Sequence, residues 1–139
     1  MRFFKLAAAA AALVFSSLII TACGGDAAAV DTSTPEGTAT AFMQKAFDGD
    51  VPGMVGLLNM GPEEQQYKEQ IEGKLDLMAK DVQSKAQKHG GVDKLEAVGS
   101  EEWKNGAIRV RVKSTFKDGT DRTERVIVEK VGDVWKVKL

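Results

Sequence analysis

The hydrophobic pattern of this 139-residue chain changes period once, at Gly90-Gly91, and that change decides what it can fold into. Before it, apolar residues recur every three or four positions. After it, they alternate with charged ones. The first spacing gathers side chains on one face of a helix, the second on one face of a strand. A chain with its helices first and its strands second does not supply the alternating units of a parallel sheet. It can instead lay the helices on one face of an antiparallel sheet, so residues 34–139 are expected to form an α+β domain.

The helical half reads as three helices. Thr34-Pro35-Glu36 is a start signal: hydroxyl cap, proline at the first position, acid in the first turn. Ala39, Phe42, Met43, Ala46 and Phe47 follow on one face, and Gly49 stops them. Asp50 caps a short second helix carrying Val51, Met54, Val55, Leu57 and Leu58. Gly61-Pro62-Glu63-Glu64 opens a third, in which Tyr67, Ile71, Leu75, Met78 and Val82 share a face as far as His89.

The second half reads as a four-stranded antiparallel meander. Residues 95–103 form its first strand. Ile108, Val110 and Val112 alternate with Arg109, Arg111 and Lys113 in the second. Residues 125–131 and 134–139 are the third and fourth. Asn105-Gly106, Asp118-Gly119 and Gly132-Asp133 supply the turns. Trp135, Val137 and Leu139 should face inward together, towards the helix carrying Phe42 and Phe47. Phe42, Phe47 and Trp135 are therefore expected to line the core or a pocket between helices and sheet. Trp103, between Glu102 and Lys104, should lie outside. The last strand would present an open edge to a second chain.

The N-terminus has a different character. Arg2 and Lys5 precede an apolar run over residues 6–20, softened only by Ser16 and Ser17. This suits a signal-peptide core better than a membrane span, which needs roughly 20 apolar residues. Ile20-Thr21-Ala22-Cys23 then resembles a bacterial lipobox, with Ile where Leu is commoner. The resemblance implies cleavage of residues 1–22, lipid (diacylglyceryl, with palmitate-like chains) on the Cys23 thiol, and a bilayer as first partner. It also accounts for the only cysteine of an exported chain, which has no intramolecular disulfide to make. Two or three acyl chains anchor stably where one does so marginally. Gly24-Gly25 stand where lipoproteins kept in the inner membrane often carry Asp. The resemblance thus implies the bacterial cell envelope, at the outer membrane, facing the periplasm or the surface. Residues 23–33 are the lipidated cysteine and a small, polar, flexible tether.

Pro35-Glu36, Phe42, Phe47 and Gly49-Asp50, with the closing Gly132-Asp133-Val134-Trp135-Lys136-Val137, resemble small bacterial lipoproteins of unknown function. These belong to the cystatin-like, nuclear transport factor two-like superfamily. The resemblance covers residues 34–139. It implies three helices packed on the meander and a hollow between them, which isomerases and dehydratases of the superfamily use with an acid–base pair.

The residues themselves offer little chemistry. His89 is the only histidine, and at a helix C-terminus a cation favours the dipole. Glu63-Glu64, Glu101-Glu102 and Asp118 with Asp121 are acidic where helix starts and turns are acidic anyway. No phosphate loop, metal motif or cofactor signature is present. Met43, Met54, Met60 and Met78 sit at core spacing. Arg109, Arg111 and Lys113 make a basic row that Glu124 and Glu129 are placed to pair with. A net charge of −1 gives no basic face for nucleic acid. The functional expectation is a membrane-tethered, non-catalytic binding or accessory lipoprotein, its partner an envelope protein or a small apolar ligand. The alternative is a small isomerase- or dehydratase-like enzyme working in the hollow.

Overall fold

In the computed structural model, which describes residues 31–139, helix α1 spans Pro35–Asp48. The expected signal peptide, Cys23 and the expected tether as far as residue 30 lie outside the described residues. Thr34 Oγ1 accepts the Gly37 amide at 3.0 Å, which satisfies one of the free N–H groups of the helix start. At the other end Gly49 takes a left-handed φ of +71°, and its amide closes onto the Ala46 carbonyl at 3.1 Å. Helix α2 (Val51–Gly56) is capped by Asp50, whose carboxylate accepts the Gly53 amide at 3.0 Å. That bond, helped by Lys45, holds the Asp50 pKa below the usual carboxylate value.

The long third helix expected from the sequence is two helices, α3 (Pro62–Gln66) and α4 (Lys68–Lys88), so the domain has four. The chain breaks at Tyr67, with φ −108° and ψ 17°. The cause is burial. Every residue from 62 to 70 is exposed, so nothing packs against the first turns to hold them in line. Tyr67, expected on the apolar face, is 54% exposed. The face proper begins at Ile71 and runs through Leu75, Ala79, Val82 and Ala86.

The sheet is an antiparallel meander in the order β1 (Val92–Glu102), β2 (Ile108–Phe116), β3 (Asp121–Val131) and β4 (Val134–Val137). Strand β1 starts before residue 95, because Val92 pairs with Phe116 and a bulge takes up Asp93. A second bulge, at Val98, precedes Gly99. Gly119 and Gly132 turn the chain at φ +86° and +62°. The β1–β2 connection is a 3₁₀ turn, Lys104–Gly106, with Asn105 at φ +58°. Helix α1 packs against all four strands on one side and against α4 on the other, which explains why Thr38, Ala39, Phe42, Met43 and Ala46 are all buried.

Two expectations about the last strand are corrected. Its edge is not open. Val137 donates to the Leu57 carbonyl at 2.7 Å and accepts from the Asn59 amide at 2.9 Å, while Trp135 donates to the Thr32 carbonyl at 2.8 Å. Leu139 does not face inward. Strand pairing ends at Val137, and Leu139 is 68% exposed. Trp135 and Val137 do share the core side.

Candidate functional site

The space between α1 and the sheet is the place where this architecture would hold a site. Phe42, Met43, Val110, Val112, Val126, Val128 and Val137 fill it, each no more than 4% exposed. The buried polar side chains among the described residues are Thr38 and Ser114. Ser114 Oγ makes no hydrogen bond. A buried hydroxyl left unpaired costs about 1–3 kcal/mol, so Ser114→Ala should be neutral or stabilising by up to that amount. Urea unfolding checks this, and a loss above about 1 kcal/mol would show that the hydroxyl has a partner.

The three aromatic residues expected to line this region are spread along it. Phe42 lies in its middle, 2% exposed. Phe47 is half-buried at the C-terminal end of α1, with its ring edge-on to Phe116 at 6.4 Å. Trp135 is half-buried near the other end, its carbonyl 3.4 Å from Thr38 Oγ1. About 13 Å of helix separates Thr38 from Phe47, so Trp135 and Phe47 do not share one pocket.

Trp135→Ala should cost about 2–3 kcal/mol, less than the roughly 3–5 kcal/mol of a fully buried ring. Trp103 is 37% exposed and lies under the Arg109 guanidinium at 4.3 Å. Trp103→Ala should cost no more than the about 0.5–1 kcal/mol of that contact. Urea unfolding of the two variants tests the register of β4, and the reverse order would contradict it.

His89 ends α4 and does more than cap it. Its Nδ1 lies 2.6 Å from Asp118 Oδ2, and its ring stacks on Phe116 with centroids 5.3 Å apart. It ties the helix end to the β2–β3 turn. Asp118 Oδ1 also accepts from the Thr120 hydroxyl and amide, and these bonds, with His89, lower its pKa from 3.8 to about 2. The shift stabilises the fold wherever the unfolded carboxylate is ionised. It is fully present above the unfolded value of 3.8 and is lost as pH falls towards 2. Asp118→Asn should therefore lower the melting temperature at pH 6 and close the gap with wild type near pH 2. A gap that is constant across this range would contradict the assignment.

The remaining acids are dispersed. Glu63 and Glu64 are in the first turn of α3, Glu101 bonds Arg109 at 2.8 Å, and Asp121 faces Lys113 at 4.0 Å. Among the described residues no group of three or more His, Cys, Asp and Glu is placed to hold a metal ion. Two open grooves mark the surface. One, of about 320 Å³, runs between α1, α4 and β1 and is lined by Gln44, Phe47, Gln83, Gln87 and Val92. Gln83 spans it, donating to the Phe47 carbonyl at 3.1 Å. The other, of about 340 Å³, lies at the α3–α4 break along residues 65–70.

The basic row lies on the sheet face opposite α1, and its expected partners do not meet it. Glu124 is in step with Val126 and Val128, so it points to the helix side and pairs with Arg122. Glu129 is on the right face but bonds Asn59 at 2.6 Å and approaches Lys138 at 3.9 Å. Arg109 is held by Glu101 at 2.7 Å instead. Arg111 stands directly opposite Arg125, and neither forms an ion pair among the described residues. The Arg111 guanidinium lies over Gly99, where a Cβ would come 2.3 Å from Nη2.

These elements define an α+β domain with an NTF2-like fold: helices on one face of a four-stranded antiparallel meander. The chain belongs to the DUF4878 family, a domain of unknown function, which matches residues 21–138. A solved structure from Campylobacter jejuni, described as a "Putative NTF2-like transpeptidase", is similar at 20% identity with a TM-score of 0.60. The likeness covers 73% of this chain and 94% of that one. At such identity it establishes the fold alone. No curated protein matches the sequence significantly. Among the described residues no helix is long and apolar enough to cross a membrane.

Proposed function

We propose that the protein is a lipid-anchored accessory module of the bacterial cell envelope, which engages a partner through its surface rather than converting a substrate in an internal cavity. The observation that carries this reading is the apolar filling of the space between α1 and the sheet. An acid–base enzyme needs ionisable groups there, and a carrier of small apolar ligands needs empty volume. Phe42, Met43, Val110 and Val112 occupy the position instead. The partner favoured by this filling is an envelope protein. Lipid on Cys23 would hold the module at the outer membrane, facing the periplasm or the surface, with residues 24–33 as tether.

A small apolar probe separates the surface reading from the cavity reading. Titrating the native protein with an anilinonaphthalene dye should give no saturable one-to-one binding and no rise in melting temperature. A ligand that entered a preformed cavity would stabilise the fold by mass action. Saturable binding that Phe42→Trp abolishes would return the hollow to its role as a site.

A further inference from the structure

We propose that one end of the domain, formed by the tips of the β1–β2 and β3–β4 hairpins, rests on the bilayer interface through Trp103, Val131 and Val134. The proposal depends on the reading of Cys23 as the lipid anchor and adds which surface the anchored domain turns to the membrane.

The first observation is where the chain enters. Thr32 accepts the Trp135 amide at 2.8 Å, beside the turn of the β3–β4 hairpin. Ser100 Oγ bonds Glu36 at 3.0 Å, so the start of α1 lies at the same end as the close of β1. Nine positions separate Cys23 from Thr32. Whatever their conformation, they span at most roughly 30 Å. The opposite end of the sheet lies about one nine-residue strand, roughly 30 Å, further along. The entry end is therefore the one held near the acyl chains.

The second observation is what this end exposes. Seven large apolar side chains are exposed among the described residues: Tyr67, Leu77, Val98, Trp103, Val131, Val134 and Leu139. Three of them are on these two tips. Glu102, Ile108, Val128 and Val137 form one rung across the sheet, and only residues 103–107 and 129–136 of the strands and turns project past it. Two strand spacings, roughly 10 Å, separate the tips. The opposite β2–β3 turn is Lys117, Asp118, Gly119 and Thr120, with no large apolar side chain.

The third observation is chemical. Trp103 carries the Arg109 guanidinium at 4.3 Å and Lys104 Nζ at 5.6 Å from its ring centroid. An aromatic ring with cationic groups over it suits the headgroup level, where one side is wet and the other apolar. Lys104, Arg109, Lys130 and Lys136 at this end are matched by Glu101, Glu102, Glu129 and Asp133. The contact is thus apolar and interfacial and does not depend on anionic lipid. Three side chains would not hold a free protein on a membrane. Beside an anchor they need only bias orientation, because the local concentration is already high.

The full chain, carrying its lipid, can be reconstituted in phosphatidylcholine vesicles with and without brominated acyl chains. Bromine quenches tryptophan only at close range. Wild type should lose emission in brominated vesicles, Trp103→Phe should lose far less, and Val131→Asp with Val134→Asp should restore most of the emission with unchanged circular dichroism. Replacing part of the lipid with phosphatidylglycerol should leave the quenching unaltered. Mass spectrometry of the same sample reads the acyl groups on Cys23. A lipidated chain with equal emission in both vesicles overturns the proposal and leaves the anchor standing. A chain without acyl groups overturns both. A Trp103 signal that follows protein density rather than bromine makes this end a contact between copies and overturns the proposal.

Discussion

Phe42→Ala is expected to remove about 3–5 kcal/mol of stability, the loss typical of a fully buried ring cut to a methyl group. Phe42 is 2% exposed in the middle of α1, the helix with the sheet on one side and α4 on the other. Neither neighbour can close over the void without leaving its contacts elsewhere, because α1 also touches α2. Domains of this size have roughly 5–15 kcal/mol in total, so the loss removes between about a fifth and the whole of it. Phe47→Ala, half-buried at the rim of a groove, should cost less than half as much. Urea unfolding compares them through the midpoint, with the slope unchanged. A loss below about 1 kcal/mol for Phe42→Ala would mean that α1 is not the central layer.

Much of this fold was legible because its signals are local. Thr34, Pro35 and Asp50 act within three residues of where they stand, and Gly49, Gly119 and Gly132 take the positive φ their turns require. The change from period 3.6 to period 2 separates helices from strands without reference to any partner. What local pattern could not supply was the identity of the neighbours. Tyr67 has the right spacing to Ile71 for a shared face, but a face forms only if something covers it, and nothing covers residues 62–70. The edge of β4 is closed by Leu57 and Asn59, about 80 residues away in the chain, which no window contains. His89 and Asp118 each read correctly as helix end and turn, yet no pattern joins them. Glu124 is a different case. Its alternation with Val126 and Val128 was visible in the sequence and places it on the helix side, away from the basic row. The candidate site was less legible than the fold, since whether Phe42 fills a hollow or lines one depends on side chains from four strands at once.

Cys23→Ser gives the largest effect expected of any single change, and it bears on how the whole domain is presented. The serine hydroxyl is a far weaker nucleophile than a thiol(ate) and does not accept the diacylglyceryl group in its place. Lipid attachment should fall to background, and the protein should move from the membrane fraction to the soluble one. The change is all-or-none in kind, because no other cysteine exists to take the lipid. The domain itself should be unaffected, since residue 23 precedes the first described helix by a dozen positions. Circular dichroism of the released variant should keep the mixed helix and strand signature. The decisive measurement is metabolic labelling of the full chain with an alkyne-bearing palmitate, followed by detergent phase partition, for wild type and Cys23→Ser side by side. Wild type should be labelled and in the detergent phase, and the variant unlabelled and in the aqueous phase. Acyl label retained in Cys23→Ser, or a wild type that carries none, would contradict the reading of Cys23 as the lipid anchor.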